Sequence, residues 1–313
     1  MNSLFIAAVI NSTFRYSTPL MFAALGSLFC TRCGVFNVAL EGQMLAASFA
    51  AIVMNYYTQN VLLSVLAGLA AGVFVSLIVA IFQIKLGVRD MVVGTSVNLL
   101  VQSLTSFLMQ IIFGTRGTIQ GNGMLALPKF SFRIGNFAFF NRMFESLSIL
   151  DYLAYVIAFL LFIYLFKTVS GFHLRSVGIN RIAAQSLGIR SQRIEFNSVL
   201  VSGALCALGG IAQCMGMVTV FVENMTAGRG FIAMGAASMA QAHPLMAILS
   251  SLFFGASISL SKTLQTTINA YFTEAFPYFC TILAITLFGI IVSFRVRSAK
   301  RPKRSIQGDN YAI

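Results

Sequence analysis

The chain has 313 residues, 58% of them hydrophobic and only 9% charged, with a mean hydropathy of +0.86 and a formal net charge of +13. A soluble domain carries about 25% charged residues, so this chain cannot cover itself with a water-facing surface. The class that fits is an all-α polytopic membrane protein, because a transmembrane β-barrel would alternate in polarity and the apolar runs here are continuous. Nor does the positive charge indicate nucleic-acid binding: the basic residues lie in short loops between apolar runs, where they set membrane orientation.

Residues 4–29 can span the bilayer, with Pro19 as a kink. Residues 31–43, TRCGVFNVALEGQ, are too polar for a lipid-facing helix. The apolar run 45–57 is short and must borrow from them to cross. Residues 61–84 form a clear span with Gly68 and Gly72 on one face, a close-approach spacing for helix packing. A charged turn at 85–90 leads into residues 91–113, apolar but carrying Thr95, Ser96, Asn98, Gln102 and Ser103. Residues 114–148 read as a folded loop with a re-entrant piece. A span at 150–166 precedes the basic stretch 167–193, within which residues 180–187 read as a short amphipathic helix stopped by Gly188. The run 198–222 is rich in small residues. Two short apolar runs, 231–242 and 245–260, flank His243-Pro244 and read as a hairpin buried in protein. Residues 277–294 are the last span.

The expected fold is therefore an all-α bundle of about eight to ten transmembrane helices, some short or re-entrant. Its transmembrane domain covers residues 1–294, with a basic cytoplasmic tail over 295–313. A nine-crossing arrangement with the N-terminus outside and the C-terminus in the cytoplasm puts fourteen of the 21 Lys and Arg residues inside, as the positive-inside rule favours. Residues 2–11 have no basic leader and are weakly hydrophobic, so the first span is expected to act as the targeting signal.

Motifs for chemistry are sparse. There is no GxxxxGK[ST], so the chain should not hydrolyse ATP, and no HExxH or GxSxG. His173 and His243 sit in different loops. Cys30 and Cys33 have CxxC spacing without a second pair, so no metal or bound cofactor is expected. What remain are polar residues at membrane depth. Asn37 and Glu41 share a helical face, as do Asn98 and Gln102. An intramembrane carboxylate is costly unless paired or facing a cavity. Glu41 either lines a path or caps a helix end near Arg32. The amides either line an aqueous path or join helices.

Taken together, the motifs resemble ATP-binding-cassette importer permeases of the simple-sugar and nucleoside type, which are ribose and branched-chain amino acid permease-like. The resemblance starts with Thr18-Pro19-Leu20 and Ala24-Leu25-Gly26, then Gly34-Val35-Phe36-Asn37 and Glu41-Gly42. It continues with Asp90-Met91-Val92-Val93-Gly94-Thr95, Asn98-Leu99-Leu100 and Leu174-Arg175-Ser176-Val177-Gly178. Asn180, Ala183-Ala184, Gly188-Ile189, Ser202-Gly203-Ala204-Leu205, Gly228-Arg229-Gly230-Phe231 and Pro277-Tyr278 complete it. One departure is the turn at Met239–Pro244, where the family usually places a basic residue.

The resemblance implies a multi-pass permease subunit of a bacterial inner-membrane importer. Its partners would be two cassette ATPases using ATP and Mg²⁺, a second permease and an extracytoplasmic substrate-binding lipoprotein. It implies that Arg175, Gly178, Asn180, Ala183, Ala184 and Gly188 form a helix that couples to the ATPase. Asn37, Glu41, Thr95, Asn98 and Gln102 are then expected to face or flank the path of a nucleoside, a simple sugar or a flavin-like ribosyl compound, moved by alternating access. The competing reading is an ion-coupled secondary transporter, which would need acidic residues within the spans.

Overall fold

The computed structural model describes residues 3–121, 123–131, 138–265, 275–284, 286 and 289–290. The expected basic tail and the end of the last span lie outside the described residues. The first helix, α1 (Ser3–Arg32), is a single 30-residue rod with Pro19 inside it. It is followed by α2 (Leu40–Thr58), α3 (Val61–Ala80) and α4 (Asp90–Phe113). The short α5 (Ala138–Met143) lies in the long loop, ahead of α6 (Ile149–Lys167). The basic stretch folds as α7 (Val169–Ile179) and α8 (Arg181–Ser186). Then come α9 (Ser191–Ile211), α10 (Arg229–Met239), α11 (Pro244–Leu264) and α12 (Ala275–Ala284). The ends of α3 and α9 widen into π-helical turns, Ile81–Lys85 and Ala212–Val218.

Among the described residues, five helices are long and apolar enough to cross a membrane: α3 and α9 with their π turns, α4, α6 and α11. The helices α1 and α2 fall outside that set, and their position explains why. They form the interior of the bundle, with α1 packed on α9, α10 and α11, and α2 on α3, α4 and α9. Their polar side chains, Ser17, Thr18 and Ser27 on α1 and Glu41, Gln43, Ser48 and Asn55 on α2, are all buried. Lipid selects for apolar surface only where it touches the protein, so shielded helices can carry hydrogen-bonding groups. The outer helices show the converse, α3 combining a mean hydropathy of 2.7 with only a third of its window buried.

Small residues set the separation of the central helices. Gly68 and Gly72 of α3 face Ala47, Ile211 and Ala207, so the expected close-approach face is present. Gly210 of α9 lies against the Met44 carbonyl of α2, where a Cβ would overlap the oxygen. The Ser48 hydroxyl donates to Met44 O and Gly210 O at this crossing, each at 2.9 Å.

The long loop folds over the end of the bundle opposite α8. The strands β1 (Thr118–Ile119) and β4 (Phe221–Val222) pair antiparallel, as do β2 (Lys129–Phe130) and β3 (Leu147–Ser148). Asn55 of α2 ties in the loop through both halves of its amide, Nδ2 donating to Leu125 O at 2.8 Å and Oδ1 accepting from Leu125 N at 3.2 Å.

A Gly210→Val substitution should separate α9 from α2 and lower stability by about 3 kcal/mol. Thermal unfolding of the detergent-purified chain, followed by size-exclusion chromatography, should show a clear fall in Tm.

Candidate functional site

Three interruptions of helix lie within the bundle, and each is closed by side chains from elsewhere in the sequence. The first is between α1 and α2. Here Asn37 is buried, its Oδ1 accepting from Ala39 N at 3.0 Å while Nδ2 donates to Ser202 Oγ at 3.0 Å and Gln43 Oε1 at 3.2 Å. Asn98 of α4 closes the start of α2 from outside, Oδ1 accepting from Gly42 N at 2.8 Å and Nδ2 donating to Val38 O at 2.9 Å. Asn98 lies eight residues beyond Asp90, about 12 Å along a helix of membrane-spanning length.

The second interruption precedes α10. The 11 residues of α10 span about 16 Å, half of what a crossing requires. Its start is held by Glu41, whose Oε1 accepts from Gly228 N at 2.8 Å and Oε2 from Gly230 N at 2.6 Å. A carboxylate there satisfies N–H groups that no helical carbonyl can reach, and opposes the positive end of the helix dipole.

The third interruption is the turn between α10 and α11, the place where the resembled family keeps a basic residue. Arg32, from the end of α1, supplies the charge: Nε donates to Ala242 O at 2.6 Å and a terminal nitrogen to Gln241 O at 3.1 Å. Its guanidinium and that of Arg175 lie over the Phe166 ring, 5.6 and 5.0 Å from the centroid. His243 packs against Phe162 and Phe166 at 5.5 and 5.1 Å. Burial, and secondarily the Arg32 charge, push the His243 imidazole below its ordinary pKa.

The expected coupling residues gather at this same end. Asn180 caps α8, its Oδ1 accepting from Ala183 N at 3.0 Å, and Gly188 stops the helix at φ +80°. The helix is shorter than the expected 180–187, and α7 adds a helix that the polar composition of residues 169–179 hid. Gly178 packs against the Arg32 carbonyl and against Gly34, whose φ is +85°. Arg181 Nε pairs with the buried Glu195 of α9 at 3.0 Å. Within α8, Ala184 is turned into the protein, at 2% exposure. The outward surface is instead Ile179, Ile182 and Leu187, exposed to 87%, 76% and 80%. These three were not singled out because an amphipathic segment this short does not show which of its sides faces the protein.

On α4 the remaining candidates lie on its open side. Thr95 is exposed, its hydroxyl donating to Met91 O at 2.8 Å, and Gln102 is exposed two turns further on. With Ser96, Ser103 and Gln110, also exposed, they form a polar flank on a membrane-length helix.

Glu41, the acidic residue that ion coupling would need within the spans, is engaged, and so are three acidic residues at span ends. Glu41 holds α10, Asp151 accepts from Ser148 N and Oγ at 2.6 and 2.9 Å, Glu195 pairs with Arg181, and Asp90 accepts from Phe36 N at 3.2 Å. Among the described residues no three His, Cys, Asp or Glu gather as a metal site, and Cys30 and Cys33 are buried free thiols.

Comparison with known proteins identifies the architecture. Residues 9–287 match the family of the branched-chain amino acid transport system permease component. This chain belongs to that family. Guanosine ABC transporter permease protein NupQ of Bacillus subtilis is 32% identical over 299 residues, covering 90% of this chain and 92% of that one. Nucleoside ABC transporter permease protein NupC of Lactococcus lactis is 34% identical over 295 residues, again covering 90% and 92%. Glucose ABC transporter permease protein TsgB13 of Haloferax volcanii is 28% identical, covering 76% and 65%. The fold is shared with an ABC transporter of the metal-chelate type in an inward-facing conformation, at a TM-score of 0.50 and 13% identity over 91% of this chain and 84% of that one. The protein is a multi-pass ABC transporter permease subunit and not itself an enzyme.

Two outcomes test the junctions. Glu41→Leu leaves the Gly228 and Gly230 N–H groups buried without acceptors, and should cost about 2–4 kcal/mol in thermal unfolding. Glu41→Gln, which keeps one acceptor, should cost less. The His243 pKa is below that of the unfolded chain, so the unfolded state binds the extra proton. The contribution of His243 to stability is then constant above about pH 6.5 and falls as pH drops below it. Thermal unfolding at pH 7.5 and 5.0 should show this acid loss reduced in His243→Asn.

Proposed function

We propose that this chain is the translocating subunit of a bacterial inner-membrane importer for a nucleoside, driven through α8 by a separate cassette ATPase. The observation that carries the reading is the exposed trio Ile179, Ile182 and Leu187 at the end of the bundle that gathers Arg175, Arg181, Arg190 and Arg193. Three aliphatic side chains that project from a basic, water-facing segment are costly alone and favour burial in a partner's cleft. The ATPase would bind ATP and Mg²⁺; this chain would bind neither. Arg175, Gly178, Asn180, Ala183, Ala184 and Gly188 then act as a frame that stiffens the knob, and the contact itself falls to the three aliphatics.

The solute path runs along the polar flank of α4, with Thr95 and Gln102 facing it. Asn37, Glu41 and Asn98 flank it and fix its walls. A polar flank at membrane depth is stable against water or a second permease, not against lipid. Alternating access follows if the junction at Gly34 and Gly178 passes movement of α8 to α1, and the Arg32 bonds pass it to the α10–α11 turn. Residues 1–294 make up the translocating domain and residues 295–313 a cytoplasmic tail, with the N-terminus outside. An extracytoplasmic lipoprotein would deliver the solute, and the names of the nucleoside permease relatives favour nucleoside over sugar. The secondary-transporter alternative is disfavoured because Glu41, the candidate for a coupling ion within the spans, already holds the Gly228 and Gly230 N–H groups.

Ile182→Glu places a charge on the knob without touching the interior. Co-purification of the cassette ATPase with the chain should be lost, while membrane insertion and Tm stay unchanged. Retention of the ATPase by this variant, or solute transport by the chain alone in proteoliposomes, would contradict the proposal.

A further inference from the structure

A cavity of about 570 Å3 opens toward the end of the bundle opposite α8, between α1, the π turn after α9, the crossing before α10, and α11. Its size lies within the range of small-molecule sites. Its walls carry three cations, Arg15 on α1, Arg229 at the start of α10 and Lys262 on α11, and one acid, Glu223, while Glu41 and Asp151 lie within electrostatic reach of Arg229 and Arg15. Among the described residues the ion pairs are Arg142–Glu145 and Arg181–Glu195, so none of the three cations is in a salt bridge. Arg15 and Arg229 each donate once to a backbone carbonyl, Met217 O at 3.1 Å and Met225 O at 3.3 Å, which leaves most of their N–H groups unused.

The second observation is Gln213. It lines the cavity at 3% exposure, and its Nε2 is fixed by the Met225 carbonyl. That bond sets the amide orientation and leaves Oε1 buried without a partner. A buried unpaired acceptor costs free energy until something donates to it. The cavity therefore presents an acceptor and several cationic donors together.

We infer that this cavity is a solute-binding station for a neutral molecule with hydrogen-bond donors and acceptors side by side, of the nucleoside class. A solute amide, amine or hydroxyl donates to Gln213 Oε1, while ring nitrogens, carbonyls or ribose oxygens accept from Arg15, Arg229 and Lys262. A bare phosphate is far smaller than a cavity of about 570 Å3 and fills little of it. The station is connected to the proposed path: Arg229 lies between the two glycines that Glu41 holds, and Gly42, next to Glu41, is held by Asn98 of α4. The inference rests on the importer reading, and names a site within this subunit where the solute pauses.

The test is equilibrium binding of tritiated guanosine to the full chain in lipid nanodiscs, for the wild type, Gln213→Leu and Lys262→Met. Saturable binding by the wild type is expected, weakened about tenfold in each variant. Lys262 is exposed, so its replacement carries the test if Gln213→Leu fails to fold. Absence of wild-type binding, or equal affinity in Lys262→Met and the wild type, overturns the inference. So does guanosine affinity unchanged in a Lys262→Met chain that no longer responds to the binding lipoprotein, which would assign the charges to protein docking. Co-purification of the cassette ATPase, measured on the same samples, separates the two readings: its loss from the wild type refutes the importer, while its retention without guanosine binding refutes only the station.

Discussion

The grip of Glu41 on the start of α10 is the interaction around which the interior is arranged. A membrane-embedded backbone has no water to satisfy it, so a helix that begins half-way across the bilayer must borrow its acceptors. Glu41 gives one oxygen to Gly228 N and one to Gly230 N. The neighbouring residue of α2, Gly42, is capped by Asn98, and Asn37 connects the same break to α9 through Ser202. Glu41, Asn98 and Asn37 thus form one connected set at the helix ends, and Glu41 and Asn98 are each held by the backbone of another segment.

That arrangement has mechanical content. Unbroken helices packed along their length move together, whereas a bundle with breaks at 33–39, 223–228 and 240–243 can shift its halves by changing a few hydrogen bonds. Two of those breaks are connected by Arg32 with the α7–α8 joint, through Gly178 and the carbonyls of Gln241 and Ala242. Phe166, over whose ring the guanidinium groups of Arg32 and Arg175 both lie, gives the joint an aromatic platform. In the proposed cycle, a push on α8 would enter the bundle at the ends of α1 and α10.

Much of this was legible in the sequence. Composition gave the class, the apolar runs gave the spans, and Asn180 with Gly188 marked the ends of α8. Glu41 and Asn98 were singled out by chemistry, as polar groups at membrane depth, but the partners that define their geometry are distant in sequence. The bond from Glu41 to Gly230 joins residues 189 apart, and no local pattern encodes such a contact. The outward face of α8 was missed for a related reason. In one and a half turns, periodicity cannot say which side is inward, and Ala184 was as good a candidate as Ile182 until the burial of Ala184 and the Arg181–Glu195 pair fixed the rotation. The cavity around Gln213 was invisible because its residues come from four separate segments.

The central claim is that α8 faces the cytoplasm and is held there by a separate motor. Its most direct test is labelling of Gln185→Cys, at an exposed position of α8, with a membrane-impermeant maleimide. Four of the five native cysteines are buried, and Cys280→Ser removes the fifth as a background. The account predicts no labelling in intact cells, labelling in inverted vesicles, and protection when the cassette ATPase is co-expressed. Labelling from outside, or labelling that the ATPase does not block, would contradict it.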